Sequence, residues 1–326
     1  MILPLVCHFK LVKFLPTTTD VDMPTTATDV NVYNSDLLRI NGEGWKVNPG
    51  SQSKIATLHE HGCKWMEFKS TTGETANFCG HQYPDGVSST IEKHHRFHHC
   101  NGLPKIWENA NPKQENSMCL EIGANIGACV MEMLLSTDAK VVAFEPHPRN
   151  QFVMQKSIEA LPLAYQDRFT LVPVALGATQ STNTIFAAKG NMGNSVVGKI
   201  IKDNRKQEFE EKEQHTIAVE SLSSIISSST HVSFVKIDAQ GYECHILEGI
   251  TQELAKVIHK IKFEVSQNHL NGQGCTTLLT MFRDLGYEIF TEDEKRKIEE
   301  GETNQFHRMT ELMAVRKERE KNLNVP

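Results

Sequence analysis

The sequence has no surplus of positive charge and no long apolar run, and each absence excludes a class of protein. Its formal net charge is −6, with 34 lysines and arginines against 40 aspartates and glutamates. A nucleic-acid partner requires a basic surface, so this balance argues against one. The most apolar segment, the N-terminal MILPLVCHFKLVKFLP, is interrupted by His8, Lys10 and Lys13. It is too short to span a bilayer and lacks the layout of a signal peptide, so we expect neither.

The eight cysteines never form the C-x-x-C spacing that marks zinc ribbons and thiol–disulfide exchange motifs. Cys119, Cys129 and Cys244 fall within predicted core elements, where a thiol behaves as a small apolar group. We therefore expect reduced cysteines and a cytoplasmic protein.

A histidine-rich stretch, HHRFHHC at residues 94–100, raises the question of a metal site. His94 with His98, and His95 with His99, fall four residues apart, which is one helical turn. No carboxylate lies at a defined spacing from them, and the stretch precedes the predicted catalytic region. We predict no metal site there and assign no metal ligands elsewhere.

The chain divides into three regions by composition. Residues 1–31 end in the Thr- and Asp-rich PTTTDVDMPTTATDVN, which predicts a flexible leader. Residues 32–116 hold all three tryptophans and many glycines, histidines and asparagines, which predicts an irregular N-terminal extension of unknown role. We expect four of its aromatic residues to form its core, namely Trp45, Trp65, Phe68 and Trp107. The third region, 117–326, is the predicted catalytic domain.

Apolar segments of this third region alternate between strand and helix patterns. The predicted strands, in chain order, are MCLEIG, KVVAFEP, RFTLVPVALG, VSFVKIDAQG, KIKFEVS, YEIF and TELMAVR. Helices are predicted between them, one over about 149–161 and one after the fourth strand with Ile246, Ile250, Leu254 and Val257 along one face. This alternation predicts an α/β fold with a parallel sheet, in which ligands bind at the carboxyl ends of the strands.

Three further segments fall between the core elements. TNTIFAAK and the glycine-rich KGNMGNSVVG at 189–198 predict an added β-hairpin that could close over a substrate. The charged runs at 202–213 and 292–302 predict solvated loops or helix faces.

Gly123 and Gly127 follow the first strand, in CLEIGANIG at 119–127. A dinucleotide fingerprint, G-x-G-x-x-G, needs a glycine two residues after the first, so that the backbone can approach a pyrophosphate. Asn125 occupies that position here, and its side chain would crowd a pyrophosphate. The loop therefore predicts a tight turn against a nucleotide without a diphosphate, with Gly127 keeping the helix close to the strand.

Glu145 ends the second strand, 22 residues after Gly123, which is the offset at which ribose-binding acids occur in such folds. S-adenosylmethionine has a ribose and no phosphate, so it fits both features. Glu121, inside the first strand, is a candidate to orient the glycine loop or to meet the ammonium group of the cofactor.

Two alternative functions stay open. One is a nicotinamide-dependent Rossmann oxidoreductase, against which Asn125 and the lack of a Tyr-x-x-x-Lys pair argue; the other is a non-catalytic cofactor-binding module.

The segments LEIGANIG, VVAFEPHPRN, PVALG, VKIDAQGYECHILEG and IKFEVS follow one another in an order that resembles the FkbM-type methyltransferases, over about 117–317. The resemblance implies a class I, Rossmann-like fold, with a seven-stranded, mostly parallel sheet whose last strand, TELMAVR, is antiparallel. It implies an S-adenosylmethionine-dependent enzyme, usually an O-methyltransferase. The cofactor-binding residues that it implies are Glu121, Gly123, Asn125 and Gly127 along the methionine and ribose, Glu145 at the ribose, Ala175 near the adenine, and Asp238, Gly241 and Glu243 beside the transferred methyl.

A hydroxyl acceptor must lose its proton during methyl transfer, so a base is expected at the strand ends. Asp238, after FVKI at the end of the fourth strand, is the first candidate, either as the base or as an orienting group. Glu264, at the neighbouring strand end, is a candidate to act with it, and His269 in SQNHL is the third. We predict O-methylation of a hydroxyl on a small molecule or glycan.

Overall fold

The computed structural model describes residues 62–110, 117–200, 209–265, 277–299, 302, 306 and 310–317, with the backbone alone described at 209–212. The predicted leader, Trp45 and the candidate base His269 lie outside these residues. Within them, no helix combines the length and the apolar character needed to cross a bilayer.

Strands account for much of the described chain and fall into three sheets. In chain order they are β1 (Lys64–Lys69), β2 (Thr75–Gly80), β3 (Met118–Ile122), β4 (Lys140–Phe144), β5 (Phe169–Val172), β6 (Ala175–Leu176), β7 (Ser181–Ala188), β8 (Val196–Val197), β9 (Phe209–Glu220), β10 (Val232–Ile237), β11 (Ile258–Val265), β12 (Tyr287–Thr291) and β13 (Thr310–Arg316). The helices are α1 (Gly86–His94), α2 (Leu103–Asn109), α3 (Ala128–Ser136), α4 (Pro148–Glu159), α5 (Leu163–Gln166), α6 (Leu222–Ile225), α7 (Glu243–Glu248), α8 (Gln252–Ala255) and α9 (Leu278–Asp284).

The central sheet has seven strands in the order β12-β13-β11-β10-β3-β4-β5. β3 pairs in parallel with β4 and β10, and β10 pairs in parallel with β11. β13, the last strand, inserts between β11 and β12 and runs antiparallel to both. This confirms the predicted seven-stranded, mostly parallel α/β sheet with an antiparallel last strand.

The central sheet separates two hydrophobic cores because successive strand residues face opposite sides. On β3, Leu120 joins the core that packs under α6 to α9, whereas Cys119 joins the core under α3 and α4. β3 carries five buried residues in succession, as expected for a parallel strand covered on both faces. The carboxyl ends of β3, β4 and β10 therefore meet at one edge of a layered α/β sandwich.

The described part of the N-terminal extension shares the second core with the catalytic region. Phe68, Phe78 and Trp107 are buried in the same cluster as Leu134 of α3 and Phe234 of β10. This packing confirms the core positions expected for Phe68 and Trp107. Trp65 differs from the expectation, since it lies on the outer face of β1 and is 52% exposed.

The third predicted strand is divided at a proline. β5 pairs with β4, whereas β6 pairs with β9 in a second sheet of order β6-β9-β7-β8. Pro173, between them, has no backbone N–H to continue the ladder. The chain therefore leaves the central sheet at Pro173, and the predicted added hairpin is confirmed as β7 and β8 of the second sheet.

The helix predicted after the fourth strand is likewise two short helices. α7 ends at Gly249, where an added Cβ would lie 2.1 Å from the carbonyl oxygen of Gly177. Thr251 then caps α8 by accepting a hydrogen bond from the backbone N–H of Leu254. The apolar periodicity was preserved across the break, so the pattern alone did not indicate it.

The prediction of a solvated segment over 202–213 is wrong for its C-terminal part. β9 begins at Phe209, and Glu213 is only 8% exposed and forms an ion pair with Arg149 at 2.8 Å. The second charged run fits its prediction, because the described residues 292–297 are mostly exposed and several pair with one another or with nearby acids.

The expectation of reduced cysteines is wrong for most of the described ones. Cys63 is bonded to Cys79 and Cys100 to Cys129, while Cys244 is also disulfide-bonded. Cys119 is a buried free thiol on β3. Partners 16 and 29 residues apart are brought together by tertiary packing, which spacing along the chain does not reveal.

The Cys100–Cys129 bridge ties the extension to α3, and we predict that it stabilises the fold substantially. Its partners are 29 residues apart, so the Cys100→Ala/Cys129→Ala double variant should lose about 3–4 kcal/mol in the chain-entropy estimate. Urea unfolding without reductant measures the loss. Cys119→Ala is the control for removing a buried sulfur that cross-links nothing. A double variant no less stable than Cys119→Ala would contradict the bridge.

Candidate functional site

A cleft opens at the carboxyl ends of β3, β4 and β10 and forms a cavity with about 550 Å³ of space, part of it open to solvent. The second sheet closes its other side, with Ala175, Ile185 and Val197 among the lining residues. Such a position, outside the strand ends of an open α/β sheet, is where ligands of this architecture bind. Of the residues predicted to hold a cofactor, those that line it are Gly123, Asn125, Glu145, Ala175 and Asp238.

The glycine loop after β3 lies directly against the end of β10. Gly123 has φ +79°, and an added Cβ there would lie 1.9 Å from the carbonyl oxygen of Asp238. The backbone N–H of Asp238 in turn donates to the carbonyl of Ile122 at 3.0 Å. Only glycine permits this approach, so Gly123 sets the distance between the two loops that form the cavity floor.

The next residues of the loop turn the chain into α3. Asn125 adopts φ +52°, a left-handed conformation that asparagine tolerates better than most residues. Gly127 has φ +86° and precedes α3, where an added Cβ would meet the side chain of Met154 on α4 at 2.6 Å. Gly127 thus keeps α3 close to its neighbour, as predicted, and does so from behind the cavity wall.

Glu145, at the end of β4, is 4% exposed and is held by three donors. Its carboxylate accepts the backbone N–H groups of Asn125 at 2.7 Å and His147 at 2.9 Å, and the side-chain amide of Asn150 at 3.2 Å. Burial raises the pKa of Glu145 to about 7, although these hydrogen bonds favour its charged form. The carboxylate is therefore fixed at the cavity edge and fastens the glycine loop to β4.

Asp238 lies at the end of β10, where the chain makes a tight turn. Gln240 and Gly241 both have positive φ, at +52° and +101°. Glu243 holds this turn, since one of its oxygens accepts the backbone N–H groups of Ala239 at 3.0 Å and Gly241 at 3.2 Å. Gly241 and Glu243 therefore shape the loop that presents Asp238, and Glu243 is fully buried behind it.

Asp238 and Glu264 are brought together through Gln240, which lines the cavity. The side-chain amide of Gln240 donates to Asp238 at 2.8 Å and to Glu264 at 3.4 Å. Burial raises the pKa of Glu264 to about 8, and the carboxylates of Asp238 and Glu243 act in the same direction. Near neutral pH, Glu264 therefore holds a proton beside Asp238.

Glu121 is not among the cavity residues. It is buried within β3 and forms an ion pair with Lys236 of β10 at 2.9 Å, and Lys236 also lies 3.4 Å from Asp238. Burial opposes the charge of Lys236, but Glu121 and Asp238 outweigh it and raise the pKa of the lysine. Glu121 is thus linked to Asp238 through Lys236.

The extension reaches the rim of the cavity, which the sequence did not indicate. Met192 and Gly193, in the segment between β7 and β8, line the cavity. The carboxylate of Asp85 accepts the backbone N–H of Met192 at 3.0 Å and also caps α1 through the N–H of Ser88. Asp85 therefore fixes the segment predicted to close over the substrate.

Two groups of potential metal ligands can be compared with the sequence analysis, which assigned no metal ligands. In HHRFHHC, α1 ends at His94 and His95 is left-handed, so the helical spacing of the histidines is not realised. By contrast, ligand atoms of His147, Glu213 and His215 lie within 4.8 Å of one another beside Glu145. Sequence reasoning missed this group because His147 is far along the chain from Glu213 and His215, and Glu213 lay in a run assigned to solvent.

Comparison with known proteins identifies the family. The sequence profile of the Methyltransferase FkbM domain matches residues 121–319, and the chain therefore belongs to this family. This confirms the resemblance drawn from the motifs and the methyltransferase class of the domain. It does not favour the nicotinamide-dependent alternative. No curated protein matches the chain significantly.

Several solved methyltransferase structures are similar to this chain in fold. The precorrin-6y C5,15-methyltransferase of Geobacter metallireducens is 10% identical, and the match covers 67% of this chain and 89% of that protein, with a TM-score of 0.34. The METTL16 methyltransferase domain is 10% identical over 77% of this chain and 86% of its own, with a TM-score of 0.38. The T. thermophilus 16S rRNA N2 G1207 methyltransferase, solved with AdoMet and guanosine, is 8% identical over 78% of this chain and 50% of its own, with a TM-score of 0.37.

We predict that Gly123→Ala disrupts the site through a steric clash. The added methyl would lie 1.9 Å from the Asp238 carbonyl oxygen, so one of the two loops has to move. Gly73→Ala is a matched control, because Gly73 also has positive φ but nothing lies within 4 Å of its added Cβ. Both variants should lose about 1–2 kcal/mol for the left-handed conformation, and Gly123→Ala at least a further 1–3 kcal/mol. Equal losses in urea unfolding would show that the close approach is absent.

We predict that Glu264 makes stability depend on pH. Its pKa of about 8 lies above the ordinary value of 4.5, so the folded protein binds this proton more tightly than the unfolded chain. The contribution of Glu264 to the free energy of unfolding is therefore largest below about pH 4.5 and decreases as the pH rises towards 8. Glu264→Gln should therefore match the wild type in Tm at pH 5 and exceed it at pH 8.5. The exposed Glu159→Gln should show no such trend, and a trend of opposite sign for Glu264→Gln would refute the assignment.

Proposed function

We propose that this member of the Methyltransferase FkbM domain family transfers a methyl group from S-adenosylmethionine to a hydroxyl of a small molecule or glycan. One observation carries the proposal: a single cavity holds Glu145 at the end of β4 and Asp238 at the end of β10, on the two sides of the glycine loop. The first carboxylate suits the hydroxyls of a ribose, and the second suits a proton or a cation.

The polar atoms of the cavity fit S-adenosylmethionine better than a dinucleotide. Asn125 Oδ1 and Gln240 Oε1 are buried acceptors with no hydrogen-bond partner among the described residues. An ammonium or hydroxyl group would satisfy them, whereas a phosphate carries only further acceptors and would leave them unpaired. Glu145 would hold the ribose and Ala175 would lie against the adenine, while Gly127, Gly241, Glu243 and Glu121 would support the cavity from behind.

The cofactor supplies an electrophilic methyl group on a positively charged sulfur. The chain's own task is to align an acceptor oxygen and to take its proton, and alignment alone can lower the barrier by about 7–11 kcal/mol. Asp238 faces the cavity and would orient the hydroxyl through hydrogen bonding. The acceptor proton would pass to the Asp238–Glu264 pair, with Gln240 holding the two carboxyl groups in place.

The acceptor would enter beside the segment that carries Met192 and Gly193. This segment forms the rim of the cavity next to Asn125, where an added Cβ of Gly193 would lie 2.6 Å from the Asn125 amide. Asp85 of the extension lies behind the rim and accepts the backbone N–H of Met192. An opening lined by amides and carboxylates suits a hydroxyl-bearing acceptor, because these groups hydrogen-bond hydroxyls. His269 lies outside the described residues and stays a candidate base on the strength of the sequence alone.

The compartment proposed from the structure is an oxidising one. Disulfides such as Cys63–Cys79 and Cys100–Cys129 persist in secretory and extracellular settings and are rare in the cytosol. This replaces the cytoplasmic setting expected from cysteine spacing.

Calorimetric titration with S-adenosylmethionine tests the proposal. The wild type should bind saturably, and Glu145→Gln should bind about 5- to 150-fold more weakly, equivalent to about 1–3 kcal/mol for a lost charge-assisted hydrogen bond. Glu220→Gln is the matched control, because Glu220 is equally buried but bonds to Gln180 and Ser224 outside the cavity. No heat of binding at millimolar cofactor would remove the proposal.

Transfer of a labelled methyl group into hydroxyl-bearing extracts provides the catalytic arm of the same test. Asp238→Asn should form the same labelled product about 10²–10⁴-fold more slowly, because the variant lacks the proton acceptor. Normal cofactor binding by the wild type with no labelled product would instead indicate a non-catalytic binding module.

A further inference from the structure

A cluster outside the proposed chemistry combines two histidines and a glutamate. His147 precedes α4, and Glu213 and His215 lie two residues apart on β9, so their side chains share a face of that strand. One ligand atom from each of the three lies within 4.8 Å of the others. Neither the proposed cofactor contacts nor the proton transfer uses these side chains.

The two histidines have unused nitrogens in a buried place. His147 is fully buried, and its Nε2 and that of His215 have no hydrogen-bond partner among the described residues. Their rings meet edge to face with centroids 5.0 Å apart. Buried polar atoms are rarely left unpaired, so two unpaired ring nitrogens in one buried cluster point to a ligand there.

Glu213 adds a carboxylate whose position is already fixed. Arg149 Nε lies 2.8 Å from Glu213 Oε1, and His147 Nε2 lies 4.0 Å from the same oxygen. Ligating carboxylates are commonly held by a hydrogen bond from a neighbouring residue. The positive charge of Arg149 opposes a cation, so binding would have to come from the three ligands themselves.

We propose that His147, Glu213 and His215 bind a divalent transition-metal ion, for which zinc is the best match. Imidazole and carboxylate are ligands that zinc accepts, and three protein ligands leave its fourth position open. With bonds of about 2.0–2.2 Å, two ligands of one ion can lie up to roughly 4.2 Å apart, so the widest pair has to close by about half an ångström. His147 Nδ1 accepts the backbone N–H of Arg149 at 3.3 Å. A metal ion at Nε2 requires the ring proton on Nδ1, so this hydrogen bond would be lost when the ion binds.

The position of the cluster gives the ion a defined structural role. Glu145 accepts the backbone N–H of His147, and Ile185, which lines the cavity, is the β-partner of His215. An ion at the cluster therefore ties the second sheet to the loop that carries Glu145. The site concerns metal binding in the free protein and stands whether or not methyl transfer is demonstrated.

Spectroscopy of the chelator-treated full chain tests the site without reference to activity. One equivalent of Co²⁺ should give the visible absorption of a four- or five-coordinate complex, and Zn²⁺ should displace it. His215→Ala and Glu213→Gln should each weaken Zn²⁺ binding at least 10-fold in competition with a chromophoric chelator. Zn²⁺ should raise the Tm of the wild type and leave that of His215→Ala unchanged.

His94→Ala is the matched control, because His94 lies in a second histidine pair, with its ring 5.4 Å from that of His98, but without the carboxylate. It should leave the affinity and stoichiometry for Zn²⁺ unchanged. Metal-free melts identify any variant that is unfolded, and Glu213→Gln then serves in place of His215→Ala. The site would be overturned if the Co²⁺ absorption were as weak as that of the octahedral hydrated ion, or if the wild type and Glu213→Gln bound Zn²⁺ with equal affinity. The three residues would then be only a hydrogen-bonded cluster.

Discussion

The close approach between Gly123 and the carbonyl of Asp238 is the constraint on which the site depends. β3 and β10 are parallel neighbours, so their carboxyl ends emerge side by side, and the absence of a side chain at Gly123 lets the two loops touch. The Asp238 N–H completes this contact by donating to Ile122. Because Glu145 then fastens the same glycine loop to β4, three strand ends form one rigid floor. The residues that face the cavity inherit their positions from backbone contacts and need little ordering when a ligand arrives.

The extension belongs to this arrangement instead of standing apart from it. Phe78 and Trp107 lie in the core that α3 and α4 share, and a disulfide joins Cys100 to α3. Through Asp85 the extension also holds the backbone of Met192 at the cavity rim. The extension therefore supplies part of the core and supports the segment at the cavity rim from behind, and binding residues are often on loops held in this way by a rigid scaffold.

The sequence supported the central sheet well, because strands buried on both faces leave continuous apolar runs such as those around Leu120 and Val235. The glycines and Glu145 were found because their roles depend on spacing within one strand–loop–helix unit. Features set by tertiary packing were not accessible. The strand break at Pro173 left the apolar pattern intact, the disulfides join segments that only folding brings together, and Glu213 was assigned to solvent because its neighbours are charged. Asp85 reaches Met192 across 107 positions of sequence, which no local pattern encodes.

The electrostatics of the cavity favour a cationic ligand independently of its shape. Burial raises the pKa values of Glu145 and Glu243 to about 7 and that of Glu264 to about 8, and Asp238 adds to each shift. The nearby cation, Lys236, is already paired with Glu121 and Asp238. If the cavity binds S-adenosylmethionine as proposed, the positive charge of the ligand would lower these pKa values and favour the ionised carboxylates, which can accept a proton. A diphosphate would raise the same pKa values further, so the carboxyl groups would have to stay protonated when it binds. Under the proposed function, the charge of the ligand and the ionisation of these carboxyl groups would be coupled, which is a second reason, besides Asn125, to expect a cationic ligand here.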